Sequence, residues 1–319
     1  MTNPLPDAPA ETTSDDSPIS VAPLPKPSSM FMGPDGLRSG WGFLLYLGMF
    51  VAMVFALRGL SKPMHALKGS VWLPLVQEAL FAMVAFLPAL VMARIEKRNF
   101  GAYGLPSAQA FGRRFFAGLF WGFSALTVLL CVLRVNGSFY FGSAEIHGAR
   151  AAKFALFWAA VMMLVAFFEE FLFRGYTLFT LTRGIGFWPS AVLLSILFGL
   201  AHSGNPGERW WGEVSVGLMA LFCCFTLLRT GTLWFAVGFH AAWNWAESYF
   251  YGTPDSGTPA TGHLLNSSFH GPAWLTGGSV GPEGSVLTFV LIGLAFLAFH
   301  LAFPAREYAP AYNELRERG

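Results

Sequence analysis

The chain has 319 residues, 54% hydrophobic and 12% charged, against roughly 25% charged in an ordinary soluble domain. That shortage of charge makes lipid the expected solvent and excludes a large soluble domain. A formal net charge of +2 without a basic cluster excludes a nucleic-acid surface as well.

Residues 1–37 are rich in Pro, Ser, Thr, Asp and Glu, with no basic residue before Lys26, which predicts a disordered cytoplasmic tail and not a signal peptide. Apolar runs follow at Trp41–Leu57, Val71–Met92, Phe115–Leu133, Phe154–Leu181, Phe187–Ala201, Val214–Leu228, Leu233–Phe250 and Val286–Phe303. A span needs roughly 20 residues, so the fold class is all-α, a polytopic integral membrane protein with about eight transmembrane helices. The run from Phe187 is short and that from Phe154 long, which keeps seven or nine helices open. The membrane body occupies residues 38–305, and residues 306–319 form a short C-terminal tail.

Basic residues orient the chain. With the N-terminus cytoplasmic, 13 of the 20 Lys and Arg residues fall in inside segments, and the long loop from Tyr251 to Ser285 has none. Both termini are therefore expected inside and that loop outside. It is rich in Gly, Pro, Ser and Thr and reads as turns; its His263 and His270 read as plain loop histidines. Cys131, Cys223 and Cys224 sit in apolar runs without a C-x-x-C pair, so buried, inert thiols are expected. Glu78 in the second run is expected near an interface or bonded to a neighbour. Glu247 either reaches the cavity of the motifs below or ends its helix.

Three patterns place polar groups inside the apolar runs: Glu169-Glu170-x-x-x-Arg174, Phe198-x-x-x-His202 and His240-x-x-x-Asn244. Ionisable groups in hydrocarbon cost about 2.5 to 3.5 kcal/mol each on insertion scales, so they persist where they pair or work. Glu170 and Arg174 share a helix face and suit an ion pair, while Glu169 points about 140° away from Arg174 and is left for a catalytic water. Counting from a hairpin at Gly184-Ile185-Gly186, Glu169 and His202 each lie roughly 22 Å from the turn on antiparallel helices. His240 and Asn244 share one face; His240 lies only roughly 14 Å beyond Gly231, which the Gly184 hairpin accommodates by projecting past the bilayer. A carboxylate base, two imidazoles and an amide donor are the groups peptide hydrolysis uses. Glu169, His202 and His240 also match a catalytic zinc shell with an open fourth position, so Zn2+ is the candidate cofactor beside a metal-free glutamate mechanism.

Together, in this order, the motifs resemble the CPBP family of intramembrane proteases, the CAAX protease and bacteriocin-processing group. Tyr103-Gly104-Leu105-Pro106 and the tract Gly262–Ser285, with Pro272-Ala273-Trp274-Leu275-Thr276-Gly277-Gly278, are similar to bacterial members. The resemblance implies a multi-pass membrane endopeptidase in a bacterial cell membrane that cuts a peptide bond near the membrane surface. Glu169 would activate water beside His202, His240 and Asn244 would complete the metal shell or oxyanion site, and Glu170 and Arg174 would support them. It admits a lipidated peptide tail, a leader peptide or a membrane-protein segment as substrate. A transporter or channel, or a catalytically silent binding or immunity protein, would also hold intramembrane Glu, Arg and His. The transporter should add paired broken helices, and none stands out.

Overall fold

The computed structural model describes residues 30–33, 36–59 and 67–308. Most of the tail expected over residues 1–37, and most of that over 306–319, lies outside the described residues. The helices are α1 (Ser39–Arg58), α2 (Leu73–Ile95), α3 (Arg113–Val135), α4 (Gly148–Arg174), α5 (Tyr176–Ile185), α6 (Phe187–Ala201), α7 (Trp210–Thr230), α8 (Trp234–Trp245), the single turn α9 (Ala273–Thr276) and α10 (Val286–Ala302). Sheet is confined to two-residue pairings, such as Phe139–Tyr140 with Ser268–Phe269. The fold is all-α and polytopic, as composition and apolar runs predict.

Five helical stretches are long and apolar enough to span a bilayer: Ser39–Arg58, Leu73–Ile95, Arg113–Val135, Gly148–Ile185 and Trp210–Thr230. Phe187–Ala201 and Val286–Ala302 are apolar but shorter, and α8 continues into a π-helical turn over Ala246–Tyr251. Large apolar side chains cover the outer surface, with Phe120 70% and Leu156 74% exposed, while Glu170, Arg174 and Glu247 are each only 1% exposed. Apolar outside and charged inside is the pattern of a chain dissolved in lipid.

The fourth run is not one helix. It breaks at Gly175, whose ψ of −119° is not helical and where a Cβ would lie 2.6 Å from the Phe171 ring. The depth count from Gly184 therefore does not hold, because it needs an unbroken rise of about 1.5 Å per residue. The two arginines near the Gly184 hairpin are engaged within the protein. Arg174 is enclosed in the protein, and Arg183 reaches Glu96 at 3.0 Å, where the Tyr103 and Tyr176 hydroxyls also donate at 2.9 and 2.8 Å. That cluster pins α5 to the end of α2. A second correction concerns Cys131, which is exposed on α3 while Cys223 and Cys224 are buried. An apolar run fixes the solvent as lipid without fixing which residues face it.

Glycines set the helix crossings that carry the motifs. Gly118 and Gly122 of α3 lie against the backbone of α8: a Cβ at Gly122 would stand 2.8 Å from the Phe239 carbonyl carbon, and one at Gly118 2.8 Å from the Phe239 nitrogen. This is the small-xxx-small packing by which membrane helices approach closely. At the near end of α8, Leu233 N donates to Gly104 O at 2.7 Å and Trp234 Nε1 to Pro106 O at 3.1 Å. The Tyr103–Pro106 segment thus anchors the helix bearing His240 and Asn244. Gly199 of α6 meets Gly217 of α7 in the same manner, with its Cβ position 3.5 Å from the Gly217 Cα. That contact seats the helix end carrying His202.

Candidate active site

Glu169, Glu170, Arg174, His202, His240 and Asn244 line one cavity of about 700 Å³ between α2, α4, α6, α7 and α8. All three motifs meet at this cavity. Glu170 and Arg174 form the intrahelical pair that their spacing suggests, with Nη1 donating to Oε1 at 2.8 Å. The same Glu170 oxygen also accepts from His240 Nδ1 at 3.0 Å. His240 Nε2 is thereby turned toward Glu169, whose Oε2 lies 3.6 Å away. The expectation that Glu169 and Glu170 face apart misses this link, because an imidazole on another helix reaches both carboxylates.

His202 follows the last turn of α6 and its Nδ1 donates to Phe198 O at 2.8 Å. A carbonyl cannot donate, so the proton in this bond sits on Nδ1, which leaves Nε2 with the lone pair in the neutral ring. His240, donating from Nδ1 to a carboxylate, is in the same tautomer when neutral. Both histidines therefore offer Nε2 as the working nitrogen. Phe198 links two motifs: the Arg174 guanidinium stands 4.6 Å from its ring centroid, and the His202 ring is 4.6 Å away on the same aromatic. Asn244 is half-buried on the cavity wall, and no protein hydrogen bond holds its amide among the described residues.

Chemically, two imidazoles and a carboxylate are a donor set that suits zinc. Their placement is more open than a shell. Among the described residues, Glu169, His202 and His240 do not gather with all ligand atoms within 4.8 Å of one another, whereas Glu247, Asp255 and Glu283 do.

The cavity wall holds further acids. Glu78 of α2 lines it opposite Glu169, and Glu247, on the π turn after α8, faces it. For Glu247 the structure thus decides between the two readings above. Asp255 and Glu283 of the loop after α8 are also on this wall, and neither was singled out by the sequence. Burial, reinforced by the neighbouring Glu283, pushes the Asp255 carboxyl up to about 7. His263 and His270 stay away: His263 Nδ1 donates to Ala260 O at 2.9 Å, and His270 packs edge-on against Tyr140.

Residues 151–246 match a family model described as type II CAAX prenyl endopeptidase Rce1-like. The matched stretch runs from the first turn of α4 to the end of α8 and contains all three motifs. No curated protein and no solved structure matches the chain significantly. The family match bears out the resemblance to CPBP proteases and supports a CAAX-type membrane protease.

Proposed function

Taking the Rce1-like segment 151–246 as premise, we propose that this protein is an intramembrane endopeptidase in which Glu169, with His202 and His240, activates the water that cleaves a peptide bond near the membrane surface. The observation that carries the reading is the Glu170–His240–Glu169 chain of contacts, at 3.0 and 3.6 Å. Glu170 fixes the tautomer of His240, so Nε2 and the Glu169 carboxylate border the same space, where a water can lie between two basic atoms. Glu169 takes a proton as that water attacks the scissile carbonyl, and returns it to the leaving amine. The Asn244 amide is placed to donate to the oxyanion that forms. Arg174 stabilises the ionised state of Glu170 and, through Phe198, braces the side of His202.

Much of the remaining wall is apolar, including Met162, Val165, Phe168, Met219 and Phe239. Such a wall suits a substrate whose flanking residues, or an attached lipid, are hydrophobic, in keeping with a prenylated peptide tail. A zinc-assisted reaction uses the same Glu169, His202 and His240; the donor chemistry supports it, and metal analysis of the purified enzyme separates it from the metal-free mechanism. The decisive experiment compares wild type and Glu169→Gln in proteoliposomes, on a farnesylated C-terminal peptide and on the same peptide without its lipid. Loss of a general base should cost about 100-fold or more with folding unchanged. Full turnover by the folded variant rejects the assignment, and equal rates on both peptides reject the lipidated substrate alone.

A further inference from the structure

Glu247, Asp255 and Glu283 arrive from three pieces of chain: the π turn closing α8, the loop that follows, and the 3-10 turn Pro282–Gly284 ahead of α10. One carboxylate oxygen from each lies within 4.8 Å of those from the other two. Oxygens on opposite sides of a single hard cation, at about 2.3 to 2.6 Å from it, stand about 4.6 to 5.2 Å apart, so this hole is ion-sized.

A group of acids alone would mean little, but here Glu247 and Glu283 are buried and hold carboxylate oxygens that no donor reaches. Glu247 is 1% exposed and no donor meets hydrogen-bond geometry at either of its carboxylate oxygens or at Oε2 of Glu283; the polar side chains beside Glu247 are Trp243 and Glu283 itself. Buried carboxylates are ordinarily paired or bound to metal. No Lys or Arg pairs with any of the three among the described residues. The nearby cations are engaged: Arg174 and His240 Nδ1 both bind Glu170. The other charged groups acting on these acids, Glu169 from α4 and Glu208 from the loop before α7, add only negative charge.

The surroundings also orient the ligand atoms. Ser248 Oγ donates to Asp255 Oδ2 at 3.1 Å and Ser256 N to Glu283 Oε1 at 2.6 Å, fixing one oxygen of each carboxylate. Gly281 closes the back. Its φ of +132° is a conformation L side chains rarely adopt, and a Cβ there would lie 2.6 Å from Glu283 Oε2 and 2.9 Å from Glu247 Oε1.

We propose that Glu247, Asp255 and Glu283 bind one hard divalent cation, calcium by its ligand chemistry, which staples the 252–285 loop to the end of α8 on the wall of the active-site cavity. An all-oxygen set selects Mg2+, Ca2+ or Mn2+ over zinc. A cage of three protein carboxylates favours Ca2+, because Mg2+ holds on to its waters. The cation ties down the helix that carries His240 and Asn244, so its first effect is on stability.

The test uses the full-length protein in detergent, stripped with EGTA. Titration with CaCl2 should show one ion per chain by calorimetry, and Tb3+ should occupy the same site with luminescence sensitised by Trp243, which lines the same cavity. At about 100 times Kd, Ca2+ should raise the melting temperature by about 5 to 10 °C. Glu247→Gln/Glu283→Gln should abolish both signals, and the milder Asp255→Asn should weaken them. Glu169→Gln should keep both, which separates this site from the proteolytic reading. Absence of Ca2+, Mg2+ and Mn2+ binding to wild type, with Glu247→Gln as stable as the parent, overturns the proposal and leaves carboxylates that share protons.

Discussion

Glu170 accepts from both Arg174 and His240, and its removal tests the arrangement most directly. Arg174 Nη1 and His240 Nδ1 both donate to its Oε1, at 2.8 and 3.0 Å, and both Glu170 and Arg174 are 1% exposed. In Glu170→Ala the guanidinium is stranded, at a cost of about 3 to 5 kcal/mol for breaking a buried pair from one side. The Phe198 ring, 4.6 Å from Arg174 Cζ, offsets only about 0.5 to 2 kcal/mol, and it does so already in the parent. At about 2 to 4 °C per kcal/mol, the melting temperature should fall roughly 6 to 20 °C. Glu170→Gln should lie between, because its carbonyl oxygen can accept both bonds at the Oε1 position. It loses the charge, and its amide nitrogen takes the place of Oε2, which has no partner. Arg174→Ala should be costly alone, and Glu170→Ala/Arg174→Ala should lose less than the sum of the singles, since no stranded charge remains. Thermal unfolding of all five proteins in one detergent reads these values. Strict additivity, or a Glu170→Ala protein as stable as wild type, would refute a buried, mutually neutralising pair.

Gly122→Ala places a methyl against the Phe239 carbonyl and should destabilise by about 1 to 3 kcal/mol while lowering kcat through displacement of His240; unchanged activity and melting would mean that the α3–α8 crossing is slack. Phe198→Leu keeps most of the volume but removes the aromatic face between Arg174 and His202, so it should cost about 1 kcal/mol with a larger fall in kcat than in stability, read from melting and turnover on the same preparation. In a background lacking Cys223 and Cys224, Cys131 should react with a membrane-soluble maleimide and resist a charged one, a result that labelling by the charged reagent alone would contradict. With all three native cysteines removed, Ser268→Cys in the 252–285 loop should label from outside intact cells, and labelling only after permeabilisation would invert the orientation taken from the basic residues.

The membrane fold and the three motifs are legible in the sequence because each is a local property. Apolar length marks α1 to α4 and α7, and spacing by four puts Glu170 with Arg174 and His240 with Asn244 on shared faces whatever else the chain does. The break at Gly175 is not legible in that way. Glycine is common in membrane helices, so Gly175 alone does not announce that its backbone leaves the helical conformation, at ψ −119°. Gly118-x-x-x-Gly122 is the missed signal: it stands in plain view and predicts a close helix crossing, though not that α8 would be the partner.

Contacts across elements explain why the acidic half of the cavity stays hidden. Glu247 follows His240 by seven residues, a spacing that returns it near the same helix face, and so it draws notice. Asp255 and Glu283 lie in irregular backbone with no period from which to infer a face. They are 28 residues apart in the chain and meet because Gly281, at positive φ, lets the backbone fold tightly behind Glu283. What the sequence does show there is a charge imbalance. Between Tyr251 and Ser285 there are two acids and no Lys or Arg, so a carboxylate buried in this segment cannot find its counter-charge locally. Its partner must come from another element or from solution, and in this fold the other elements present Glu247, Glu169 and Glu208, with His240 the one cation, already bound to Glu170. The proposed cation would supply that counter-charge to all three acids together.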